Sequence, residues 1–205
     1  MKKRTLISLL GIIALFALAC APAIAYYSAK TSTVPNKFSI NTGGQEETKG
    51  TLVETKWPKD GALNLMPGET VEKNPVITSN LDYDSKAYLG VTIPQVSATL
   101  DGTATVTDAV YLKDIGEGWE LIETIPGSSR EPELQIYSYG TKLATDESTT
   151  PTFSYIEIPD FSQYSDTKEK YINVKGYLIQ ADYIDKEEAD SEAISFFRKE
   201  FLEDE

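Results

Sequence analysis

From residue 37 to residue 184 the chain is a succession of short β-rich runs, each closed by turn residues, and this punctuation constrains the fold more than any other feature. The runs read "KFSINTG", "TLVETKWP", "VEKNPVITSN", "AYLGVTIPQVSATL", "TATVTDAVYL", "WELIETIP", "ELQIYSYGTKLA", "TFSYIEIP" and "YINVKGYLIQADYI". Between them lie Gly-Gly, Lys-Asp-Gly, Pro-Gly, Asp-Gly, Gly-Glu-Gly and Pro-Gly-Ser-Ser. Many short strands at this spacing, with no helical segments between them, predict an all-β antiparallel sandwich or barrel rather than βαβ units.

Alternation supports that reading. Ala87, Leu89, Val91 and Ile93 fall on one face of a strand, and Tyr88, Gly90 and Thr92 on the other. In the last run Ile172 and Val174 share one face, while Tyr177, Ile179 and Tyr183 share the opposite one. Gly176 sits at the change, which predicts a bulge there. Met66-Pro67-Gly68-Glu69 reads as a type II turn, because Pro67 pre-sets the first central φ and Gly68 tolerates the positive second one. Pro75 follows within a β-rich run and cannot donate to a ladder, so it belongs at an edge, a bulge or a strand start.

One segment departs from this pattern. "KEEADSEAISFFRKEFLEDE" places Ala189, Ala193, Phe197 and Phe201 four residues apart, with Ile194 beside them. That spacing predicts a short amphipathic helix over 186–202, docked on the sandwich. Glu203, Asp204 and Glu205 oppose its dipole, so it should fray there.

The start of the chain indicates where the domain works. Lys2, Lys3 and Arg4 precede an apolar stretch, Leu6 to Ala19, and Ala23-Ile24-Ala25 offers small residues for signal cleavage before Tyr26. Residues 1–25 are therefore expected to be a signal peptide, and 26–205 a single secreted domain. The apolar run is short for a full membrane span. Cys20, preceded by Ala19, offers a rival lipid-attachment site. Cleavage after Ala25 leaves a chain with neither cysteine nor histidine.

The charge balance narrows the partners. The whole chain carries 19 basic and 32 acidic residues, and the leader removes three basic ones, leaving 16 against 32. A surface this acidic repels nucleic acid and anionic lipid. No stable membrane insertion is expected after cleavage.

Catalytic constellations are scarce. Without histidine, Ser-His-Asp and Cys-His nucleophile systems and His-containing zinc sites have no residues to build from. Ser165-Asp166-Thr167-Lys168 matches a Ser-x-x-Lys pattern without its Lys-Thr-Gly companion. Asp82 and Asp84 begin like a calcium loop, but the glycine and closing glutamate do not follow, so a hairpin turn is the simpler reading. Glu157 lies mid-strand on the face of Phe153 and Tyr155; paired carboxylates for glycoside hydrolysis stay conceivable, but the sequence names no companion for it, and a satisfied or solvent-facing glutamate is the simpler reading. The sequence points to no catalytic residue, cofactor or metal.

Three stretches together carry a family resemblance: "AIAYYSAKTSTVPNKFSINTG", "LNLMPGETVEKNPVITSNLDYDSKAYLGVTI" and "YINVKGYLIQADYI". The chain resembles the TasA/camelysin-like secreted proteins of Gram-positive bacteria, whose leaders are handled by a dedicated signal peptidase, SipW. The resemblance rests on the Pro67-Gly68 turn before an extended run, the "TSN" hinge, the "AYLGVTI" strand and the terminal strand Tyr177 to Ala181. It implies a jelly-roll-like sandwich, export, and a structural place at the cell surface or in a biofilm matrix. The implied partners are further copies of the chain or related matrix subunits. It also implies fibres built by donating the freed N-terminal segment as a strand. The metalloprotease activity described for camelysins is not carried over, because no zinc site matches.

Residues 26–36 are then expected to be a flexible segment. Val34, Phe38 and Ile40, which share a side-chain parity, are the candidate donor-strand residues, with Pro35 pointing the other way. The alternative is a cell-surface carbohydrate-binding module using Trp57, Trp119 and some of the twelve tyrosines as stacking platforms.

Overall fold

The computed structural model describes residues 28–30, 34–36, 50–58, 61–62, 64–100, 103–160, 163–164, 169–182 and 184–203. Its centre is an antiparallel sheet in which β14 (Ile172–Gln180) pairs with β6 (Ser85–Ile93), β6 with β11 (Glu133–Tyr139), and β11 with β10 (Trp119–Ile125). Two short strands, β1 (Ser28–Lys30) and β2 (Val34–Asn36), lie along the other side of β14.

The expected alternation organises this sheet. Ala87, Leu89, Val91 and Ile93 on β6, with Ile172, Val174 and Leu178 on β14, join one apolar cluster. Tyr88 on β6, Leu134 and Ile136 on β11, and Tyr177 and Ile179 on β14 join a second cluster on the opposite face. Both faces are thus covered.

The first face packs against a second layer that the sequence leaves broken. β3 (Gly50–Glu54) pairs with β5 (Pro75–Ser79), while β4 (Thr70–Glu72) pairs with β12 (Tyr155–Glu157), which pairs with β9 (Tyr111–Lys113). Residues 147–158 run antiparallel to 68–79 along their whole length. Gly68 N–H donates to Ile158 O, Lys73 N–H to Ser154 O, Thr152 N–H to Pro75 O and Ser79 N–H to Glu147 O. Pro75 is the first residue of β5, the strand-start position its missing N–H permits. The turn before β4 forms as expected: Gly68 has φ +81°, and Glu69 N–H donates to Met66 O at 3.0 Å.

A fourth sheet continues from the end of β6. After Pro94 the chain enters β7 (Gln95–Leu100), which pairs with β8 (Thr103–Asp108) and β13 (Gln163–Tyr164).

The opposite face of the main sheet is closed by α1 (Lys186–Leu202). Asp185 caps it, accepting the Glu188 N–H at 2.8 Å, and Glu187 and Glu188 sit favourably at its positive end. Ala189, Ala193 and Phe197 are its buried residues. The small alanines let the helix lie close to the sheet. Phe197 lies over Gly90, where an added Cβ would come within 2.5 Å of the ring.

Three readings are corrected by this architecture. β14 stays in one register with β6 from Asn173↔Thr92 to Gln180↔Ser85, so Gly176 marks no bulge against it. The face change at Gly176 reflects burial on both sides, by the second layer and by α1; Tyr183 lies outside the described residues. Asp82 and Asp84 do not close a hairpin: β5 and β6 belong to different sheets, and 80–84 is the corner between layers. Phe153 does not share the partly exposed side of Tyr155 and Glu157 but is buried in the core.

Candidate assembly edge

The outer edge of β14 is where the chain's own N-terminal segment meets the sheet. Ala181 N–H donates to Asp84 O, in register with the β14–β6 ladder. Alternation along an antiparallel strand then directs odd-numbered β14 residues at β6 and even-numbered ones at the N-terminal segment. The hydrogen-bonding contacts on that side fall on Ala29↔Leu178, Val34↔Val174 and Asn36↔Ile172.

The two blocks are out of step by one residue, since Lys30 pairs with Tyr177 but Val34 with Val174. Pro35 stands opposite Asn173, an odd residue whose backbone groups face β6. The missing proline N–H is therefore not needed there. Of the candidate donor residues, Val34 is brought to β14; Phe38 and Ile40 lie outside the described residues, as do the cleavage residues Ala23, Ala25 and Tyr26.

The far edge of the same sheet is defended. β10 changes register against β11 between Leu121 and Glu123, a bulge that spoils it as a template. Glu123 accepts from Arg198 of α1 at 3.3 Å, and Glu120 lies 3.5 Å from Lys186. Charged side chains and a bulge are ordinary protections against edge-to-edge pairing.

β14 itself is held firmly from its helix side. Lys175 is buried, ion-paired with Glu200 and placed 5.5 Å from the Phe196 ring centre. The Tyr177 ring stacks on Phe196 at 4.1 Å, and its hydroxyl donates to Glu192 at 2.8 Å. On β6 the Tyr88 hydroxyl donates to Asp190 at 2.9 Å, and burial with that neighbouring carboxylate drives its pKa far upward. These contacts fix the helix on the sheet, so β14 presents a rigid edge.

The remaining sequence candidates are structural. Glu157 pairs with Lys113 at 3.2 Å, both partly exposed. Trp119 is buried, its indole N–H donating to Thr150 O at 2.9 Å. Trp57 is half-buried beside Lys73. Trp119 thus presents no open stacking face, and the Lys73 ammonium lies over the Trp57 ring. Residues 165–168, the Ser-x-x-Lys match, lie outside the described residues. Among the described residues no three acidic or thiol side chains gather where they could hold a metal ion. A shallow cleft of about 240 Å³ lies near the start of β14, lined by Gln95, Arg130, Glu131 and Tyr171 among others.

Sequence reasoning missed which edge is involved, because β14 finds its neighbours from distant parts of the chain. It also missed Lys73, whose phase with Pro75 and Ile77 was the available signal. No family model, curated protein or solved structure matches this chain.

Proposed function

We propose that the chain is a secreted, non-enzymatic structural subunit that assembles by strand donation at the outer edge of β14. The observation that carries this reading is the mismatch between the edge and its cover. A nine-residue strand, buried on both faces, is capped on one side by two three-residue strands that are out of step with each other. A longer strand in a single register, supplied by another copy, would satisfy that edge better. Exchanging a segment for its counterpart in a neighbour costs little, because the same groups are paired before and after.

The resemblance to TasA/camelysin-like proteins supports the same reading, and with it a place in an extracellular matrix or at the cell surface. Cleavage between Ala25 and Tyr26 by a SipW-like peptidase would free the donor. The charge of the mature chain keeps subunits soluble until the specific pairing forms.

Deleting Tyr26 to Asn36 should leave a folded, soluble monomer that no longer polymerises, as judged by electron microscopy and sedimentation. Fibres from the truncated chain identical to those of the full mature chain would overturn the proposal. So would a mature chain that stays monomeric on concentration and acidification.

A further inference from the structure

Lys73 and Glu54 meet on the inner side of the second layer, where both are taken out of water. Lys73 precedes Pro75 by two residues and shares the inward phase of Ile77 and Ser79; Glu54 stands opposite Pro75, in phase with Leu52. Their side chains are 0% and 4% exposed, and Nζ lies 2.5 Å from Oε1. The Trp57 ring centre is 4.6 Å from Nζ. The second carboxylate oxygen, Oε2, is buried with no hydrogen-bond partner.

A buried carboxylate is normally held by several donors, because the loss of water around the charge must be made good. Here one oxygen receives none. Burial also pulls the Lys73 amine below the usual lysine range, against the opposing pull of the Glu54 charge and hydrogen bond. A neutral amine is a nucleophile, and the group it meets through Oε1 is a carboxyl group, whose carbon is an acyl centre.

We propose that Lys73 and Glu54 condense into an intramolecular amide cross-link. Within the pair the ammonium passes one proton to the carboxylate, giving an amine and a carboxylic acid. The Nζ lone pair attacks Cδ of Glu54, forming the C–N bond. The tetrahedral adduct expels its hydroxyl, which takes the proton lost from nitrogen and leaves as water. One C–N bond forms and one C–O bond breaks. Nothing is oxidised or reduced, and no co-reactant is consumed. In bulk water the ion pair is favoured over the amide. In the interior the ion pair carries a desolvation cost that the amide lacks, and two groups already in contact react at high effective concentration.

The placement gives the bond a use. Among the described residues β3 pairs with β5 alone and is the first strand after the N-terminal segment. Tension entering through a donated N-terminus reaches β3 first, and the cross-link would pass it to the β4–β5 connection. That mechanical role rests on the assembly proposed above; the bond itself does not.

Intact-mass measurement on the full secreted chain, folded and incubated, tests the bond directly. The expected mass is lower than that of the sequence by one water. Trypsin should yield a branched product joining 50–56 to 60–86, uncut after Lys73. Lys73→Met and Glu54→Ala chains should show their full masses. A full mass with cleavage after Lys73 in the folded wild type would overturn the proposal. A water loss that survives Glu54→Ala would overturn it too, because the loss then comes from another site. If neither variant folds, the wild-type peptide map still decides. Fibre formation is a separate measurement and does not enter these outcomes.

Discussion

β14 has two neighbours, and they are made differently. Toward β6 it has an unbroken register from Asn173 to Gln180, with apolar side chains packed above and below. Toward β1 and β2 it has two short blocks separated by a slip. The first junction is part of the core. The second is a cover over an edge that would otherwise offer unpaired backbone groups. A strand can therefore be indispensable to the fold on one side and exchangeable on the other.

The comparison breaks most readily if α1 does not secure the β6 side. Phe197 fills the space over Gly90, and Phe197→Ala should destabilise the domain by about 3–5 kcal/mol in urea unfolding. A loss below about 1 kcal/mol would mean that the helix is an accessory rather than a wall of the core.

A matched pair of prolines sharpens the contrast. The Lys86 backbone faces Ile179 of β14, and Lys86→Pro should cost about 3 kcal/mol or more. The Lys86 ammonium also approaches Ile184 O and Asp185 O, so Lys86→Ala is the control for its side chain. Ala29→Pro removes one N–H from the pair with Leu178 and should cost about 1 kcal/mol. Equal losses would erase the distinction between core junction and cover.

The smallest effect is local and needs no mutation. Amide exchange along β14 should alternate, slow at Lys175, Tyr177 and Ile179, whose N–H groups point at β6, and faster at Val174 and Leu178, which point at β2 and β1. Uniform protection along the strand would show that the N-terminal cover is as stable as the ladder it faces.

Much of this is legible in the sequence. The phases of Ala87 and Tyr88 gave the two faces of the main sheet, and the four-residue spacing of Ala189, Ala193 and Phe197 gave the helix and its buried stripe. Both depend on local periodicity. What failed depended on partners distant in sequence. Gly176 read as a bulge because a strand buried on both faces loses its polar phase, and the second cover, α1, could not be placed from the strand alone. Lys73 drew no reading from the sequence, because residue type carries no sign of the Glu54 and Trp57 side chains that enclose it. The candidate edge was invisible for the same reason: Val34 showed a β-rich phase, but nothing in it named Val174.

The position of β14 in the chain also has a kinetic consequence. Its ladder joins Leu89 to Gly176, so the main sheet cannot close until residues 173–180 are available. The covering helix is later still. Such non-local pairing folds slowly, and the early strands wait with an unfilled place among them. A growing chain is thus kept from premature completion, with the place beside β6 open until β14 arrives to fill it.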